Sequence, residues 1–208
     1  MVNTIPSQLS LRDLKQQFNL SRTNDPNFFT EWTQDFPPLS ELEQNILDRV
    51  KRNYLYLTEE RPLVESFVNM VVLSPLLDLA GFYQPPFRIE VEKSLQITLE
   101  NEQKTLEGRL DFLVVKEQLW VVALESKRSS LSIELAIPQV LVYMMANPNP
   151  NYPIFGLITN GEFLLFLKLL QQPIPEYDLS EIFWLRRRAN DLYPVLQILK
   201  GLGELIQA

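Results

Sequence analysis

The chain has 208 residues, 19 basic and 26 acidic side chains, a formal charge of -7, and neither cysteine nor histidine. Without thiol or imidazole there is no disulfide, iron–sulfur cluster, thiolate or imidazole metal site, and no Ser-His or Cys-His nucleophile; carboxylate, lysine, hydroxyl and backbone remain for any chemistry. The acidic balance argues against sequence-blind coating of duplex nucleic acid, which needs clustered Lys and Arg to release counterions.

The length suggests one domain with extensions. Asn69, Ser74 and Asp78 interrupt the most apolar stretch, and Met1 to Ser10 lacks a basic-then-apolar leader, so a soluble cytoplasmic protein without membrane contact is expected. Residues 1–39 are polar and Pro-interrupted, with Phe18, Phe28, Phe29, Trp32 and Phe36 as pins for a partly irregular arm. Ser40 and Glu43 have capping-box spacing, and Leu42, Ile46, Val50 and Tyr54 recur every four residues, predicting a helix over 41–56. A second helix is expected from Thr58, with Pro62 in its first turn, towards Gly81, and Pro75 should kink it or end it early.

From Phe87 the period becomes two, and the runs through Ile89 to Leu99, Leu110 to Val115 and Leu119 to Leu124 predict three consecutive strands. Leu131 to Ala146 predicts a helix that Pro138 begins or bends, and Asn147 to Pro153 a loop. Asn160-Gly161 between Ile154–Thr159 and Phe163–Leu169 is a hairpin signal. The tail carries Arg186, Arg187 and Arg188, more often a solvated face than a phosphate contact, and then an amphipathic helix through Leu192, Val195 and Leu199. Trp32, Trp120 and Trp184 are too dispersed for a base-stacking platform.

Asp111 interrupts an apolar run, where a carboxylate needs a cation or donors to offset lost hydration. Glu125 and Lys127 end the next strand, and alternation projects both to one side. If the two strands form a tight hairpin about Lys116 to Gln118, Asp111 lies opposite residue 123 or 125, which brings it within about 5 to 8 Å of Glu125. Two acids that close repel, and a shared hard cation, magnesium or manganese, is the simplest relief. The competing reading is a structural ion pair of Asp111 with Lys127 or Arg128. Gln139 and Tyr143, four apart, share one helix face, which could equally be an ordinary half-buried face.

The ordered string Gly108-Arg-Leu-Asp111, Glu125-Ser-Lys127 and Gln139-x-x-x-Tyr143, with a strand and Asn160-Gly161 after it, resembles the PD-(D/E)XK nuclease superfamily. Within it the string is most similar to the nuclease domain of type I restriction enzymes, and the similarity spans roughly residues 60–170. The resemblance implies an α/β (α+β) fold with an αβββαβ core, a mixed central sheet flanked by helices, and helical terminal extensions. It divides the chain into an N-terminal arm and helix (1–57), a core (58–170) and a C-terminal helical extension (171–208).

It further implies that Asp111 and Glu125 ligate Mg2+ or Mn2+ with the Ser126 carbonyl. Lys127 would orient or deprotonate the attacking water, Glu65 would complete the acid set, and Gln139 and Tyr143 would face the centre. Such a site fits phosphodiester hydrolysis, since a hard cation activates water without histidine. Two departures matter. Pro138 directly precedes Gln139, and Gly156 and Gly161 are followed by Glu162 where a phosphate-binding loop needs Lys, so an ATP-driven motor is excluded for this chain. The expected activity is DNA hydrolysis, alone, as a homodimer, or with a protein partner that supplies specificity or a motor. The alternative is an inactive nuclease-fold module for binding or assembly.

Overall fold

The structure is a computed structural model that describes residues 3–4, 9–99, 104–116, 119–127, 130 and 132–205; residues 3–4, 97–99, 104–106, 119 and 121–126 are described by their backbone alone. Among the described residues, one mixed eight-stranded sheet runs through the molecule, flanked by helices on both faces. Its strands are β1 (Asn3–Thr4), β2 (Ser21–Arg22), β3 (Phe87–Leu99), β4 (Lys104–Lys116), β5 (Leu119–Ser126), β6 (Ile154–Thr159), β7 (Phe163–Leu170) and β8 (Glu176–Trp184). They lie in the order β1-β4-β5-β6-β7-β8-β2, with β3 also pairing β4. The α+β class and the αβββαβ order expected from the motif string are both present.

The helices form where local chemistry starts them. In α1 (Leu11–Phe18) and α2 (Glu41–Leu57), Ser10 with Asp13 and Ser40 with Glu43 close reciprocal capping boxes. Glu43 Oε2 accepts the Ser40 N–H at 2.7 Å, and Ser40 Oγ accepts the Glu43 N–H at 3.3 Å. The Thr58 hydroxyl then donates to the Tyr54 and Leu55 carbonyls, so α2 ends there and the second helix cannot start at Thr58 as expected. It begins at Glu65 and comes in three pieces: α3 (Glu65–Val68), a π-turn over Asn69–Leu73, and α4 (Ser74–Leu79). The Ser74 N–H donates five residues back, to the Asn69 carbonyl. Pro75 has no N–H to offer Val71, and the wider turn accommodates its ring, so the irregularity falls before the proline.

A 3-10 turn (Ile133–Ala136) leads into α5 (Ile137–Met145), with Pro138 in the first turn of α5, where the missing N–H costs nothing. Leu131, the expected start of that segment, lies outside the described residues. Four additions were not expected: β1, α1 and β2 within the arm, and β8, a strand in the tail before α6 (Leu192–Leu205).

The two sheet faces bury different side chains. Val114, Phe155, Leu157, Leu164 and Phe166 pack against α2, α3, α4 and α6. Leu113, Val115, Ile158, Leu165 and Leu167 pack against α5 and α1. A Cβ on Gly156 would stand 3.0 Å from Met144 Sδ and 3.1 Å from Val140 Cγ1, so this glycine lets α5 lie close on β6.

Candidate functional site

β5 and β6 pair in parallel up to Ser126 with Thr159, and the Lys127 N–H extends the ladder by donating to the Thr159 carbonyl at 2.8 Å. This fixes the backbone from which the lysine leaves the sheet. Its Nζ donates to Gln139 Oε1 at 3.2 Å, and Gln139 Nε2 donates to the Tyr143 hydroxyl at 2.9 Å. Gln139 and Tyr143 are both buried against the sheet, at 9% and 3% exposure, and Lys127 is half-buried. Because Pro138 sits inside the first turn of α5, Gln139 keeps helical geometry and reaches Tyr143 four residues on. A buried amide left without partners would cost about 1 to 3 kcal/mol, so this hydrogen-bonded chain holds the lysine and both helix residues together.

β4 and β5 pair antiparallel, Phe112 with Leu124 and Leu113 with Ala123. The described ladder ends at Phe112 with Leu124, and Asp111 and Glu125 are the next residues along the two strands. The Glu125 backbone pairs with that of Ile158 in β6. Asp111 is half-buried between Leu110, which packs in the α5 layer, and Phe112, which packs in the α2/α6 layer. The register irregularity in this hairpin lies at Val114/Val115, above Asp111, and so does not disturb the lower pairing. The side chains of Glu125 and Ser126, and all of Arg128, lie outside the described residues.

Glu65 takes a different place from the rest. It is exposed at the first position of α3, whose Val68 packs in the α2/α6 layer, the layer opposite Gln139 and Tyr143. Among the described residues no group of three or more acidic side chains stands close enough to hold a metal ion. Beyond Lys127 a cavity of about 330 Å³ opens between Ser130, Ser132 and Glu134 on one side and Asn160, Phe163 and Ile182 on the other.

The loop at that cavity joins β6 to β7 across Asn160–Phe163. Only Gly161 takes a positive φ there, +87°, while Asn160 Oδ1 accepts the N–H groups of Glu162 and Phe163 and Thr159 Oγ1 accepts that of Gly161. The Asn-Gly pair thus closes the expected hairpin of β6 with β7 through a side-chain-bonded turn. Arg186 and Arg187 pair with Glu162 and Asp191 at 3.0 and 3.5 Å, in keeping with a solvated, locally neutralised face.

One residue beside the site escaped the sequence reading. Val91 pairs with Phe112 and Lys93 with Leu110, so Glu92 stands across from Asp111, and its φ is +52°. That conformation costs a non-glycine residue about 1 to 2 kcal/mol. An exposed ion pair such as Glu92 with Arg109 returns about 0 to 1 kcal/mol, so the pair alone does not offset the strain. Two further effects do. Directly opposed carboxylates destabilise a ladder, and the left-handed residue turns Glu92 towards Arg109. The ribbon also turns over here: Ile89 and Phe112 pack on the α2/α6 side, whereas Leu95 and Leu110 pack on the α5 side. Nothing in an alternating run marks such a residue.

No protein-family profile matches the chain, and no curated protein does. Among solved structures, a fragment of the chain assigned as the HsdR subunit of a type I restriction enzyme from Vibrio vulnificus YJ016 superposes with a TM-score of 0.40 and 16% identity. The superposition covers 68% of this chain and 26% of that one. No helix among the described residues is long and apolar enough to cross a membrane.

Proposed function

We propose that the chain is a metal-dependent nuclease-fold protein that hydrolyses phosphodiester bonds in DNA. The observation that carries this reading is the Lys127–Gln139–Tyr143 hydrogen-bonded chain at the end of β5, directly after the backbone of Glu125 and Ser126. Oxygen donors from Asp111, Glu125 and the Ser126 carbonyl are the hard set that Mg2+ or Mn2+ takes, so the residue types fit the ion, while Glu65, exposed in the opposite layer, would not join them. When bound, such an ion polarises a phosphoryl oxygen and lowers the pKa of a coordinated water. The protein's own part is positional: Gln139 and Tyr143 set where the Lys127 amine sits, so its charge is in place before the scissile phosphate arrives. Lys127 then orients the attacking water and stabilises charge on the phosphate. The cavity beside Ser130 and Asn160 would take the neighbouring nucleotide. With Glu162 where a motor loop needs lysine, movement along DNA would fall to a partner protein.

The test is a Mg2+ and Mn2+ titration with labelled DNA on wild type and Asp111→Ala. Metal-dependent cleavage that falls at least about 100-fold in the variant, with circular dichroism unchanged, is expected; loss of a mere outer partner of a ligand already costs 10- to 100-fold.

A second reading, a non-hydrolysing binding or assembly module that keeps the acids, draws on the net charge of -7 and on Glu162 where a motor loop needs lysine. Metal uptake without cleavage of any nucleic acid would favour it. No uptake at all would overturn both readings.

A further inference from the structure

The cation nearest to Asp111 along its own strand is not where its register would leave it. Arg109 pairs across the ladder with Ser94, two residues short of the Asp111 step. Its guanidinium nevertheless extends along β3, and Nη1 donates to Glu92 Oε2 at 3.2 Å, on the residue that faces Asp111. Both side chains are largely open to water, at 63% and 62% exposure. So exposed a pair adds little to the fold. What it does is bring a planar cation to the step of the candidate centre while engaging one of its five donors, and a guanidinium grips phosphate oxygens two at a time.

We propose that Arg109 contacts a phosphate of the substrate backbone beside Asp111, and that Glu92 is the positioning residue that holds it there. The inference rests on the phosphodiester substrate put forward above. It also gives the left-handed Glu92 a use beyond turning the ribbon: the same backbone conformation that removes its carboxylate from Asp111 delivers that carboxylate to Arg109.

Equilibrium binding of a labelled DNA oligonucleotide to the full chain, followed across a salt series without added divalent metal, tests this apart from cleavage. Arg109→Ala should weaken binding about tenfold, the order of one lost charge-assisted hydrogen bond. It should also flatten the slope of log K against log salt by about one. Glu92→Gly should weaken binding by a smaller factor, about two- to fivefold, with an unchanged melting temperature, because φ of +52° suits glycine. Glu92→Asp, which keeps the charge and tolerates that φ, should recover most of the loss. An Arg109→Ala protein with wild-type affinity and slope overturns the inference and leaves the phosphodiester reading standing. A Glu92→Gly protein whose binding falls only as its melting temperature falls overturns the positioning role. Wild type that binds no DNA sinks the phosphodiester reading, and this inference with it.

Discussion

Two antiparallel strand pairs of one sheet, β6 with β7 and β3 with β4, are built from opposite materials. Every residue of β6 is buried, as are the six central residues of β7, because α5 covers one face and α2 and α6 the other. In the lower half of β3, Val91, Glu92, Ser94 and Gln96 are exposed, and Glu107 and Arg109 face water from β4. The first pair holds the molecule together, and its buried Lys168 is engaged by Glu31 and the Phe28 carbonyl. The second has little core to protect and can afford charges; Asp111 stands where coverage gives way to exposure, half-buried between Leu113 and Arg109.

The sharpest way to break this contrast is a matched pair of truncations. Phe166, fully buried in β7, meets Phe183 edge-on at 5.9 Å, and Phe166→Ala should cost about 3 to 5 kcal/mol in urea denaturation. Val91→Ala, at a residue 60% exposed in β3, should stay within about 0.5 kcal/mol of wild type. Equal losses at the two sites would mean that β3 belongs to the core after all. Next in size comes the turn that closes the buried pair. A Cβ on Gly161 would meet Tyr54 Cε2 at 2.6 Å, and φ of +87° disfavours any side chain. Gly161→Ala should cost about 2 kcal/mol, backbone strain of about 1 to 2 kcal/mol plus displacement of the ring, read in the same assay.

The buried pair was legible in the sequence because apolar runs bounded by Pro-Asn and Asn-Gly punctuation leave few alternatives. The order of elements through the core was legible for the same reason, and so was the Gln139–Tyr143 relation, which needs only helical spacing. What could not be read arises from contacts distant in sequence. β8 carries charges at Glu176, Asp178 and Glu181, and becomes a strand because β7 offers it an edge. The left-handed Glu92 depends on a ribbon that must turn over. Whether Asp111 faces Glu125 hinged on hairpin register, which a single residue can change.

On the covered side, charge fastens α2 to α6 where apolar packing ends. Glu43 accepts from Lys200 and from Ser40, which together hold its carboxyl down from an ordinary 4.5 to about 2. A lowered acid contributes stability that is fully present above its unfolded value and is lost as pH falls through the folded one. The window therefore runs from about pH 4.5 down to about 2. After discounting for the part-exposed lysine, about 1 to 2 kcal/mol should disappear across it, and Glu43→Gln should flatten that segment of a stability–pH profile. A profile unchanged by the substitution would remove this fastening from the contrast.

The smallest effect is expected at Glu92, and it separates the two strand pairs most cleanly. At Gly161 and Glu92 alike the backbone is left-handed, but one residue is the glycine that conformation favours and the other is not. Glu92→Gly should relieve about 1 kcal/mol of strain and lose about as much to the greater freedom of glycine in the unfolded chain, for a net change within about 0.5 kcal/mol. Its exposed pair with Arg109 subtracts little more. A loss well above 1 kcal/mol in urea would show that the ribbon's turn depends on the Glu92 side chain. Near-neutrality would place the consequence of that residue outside stability, among the groups around Asp111.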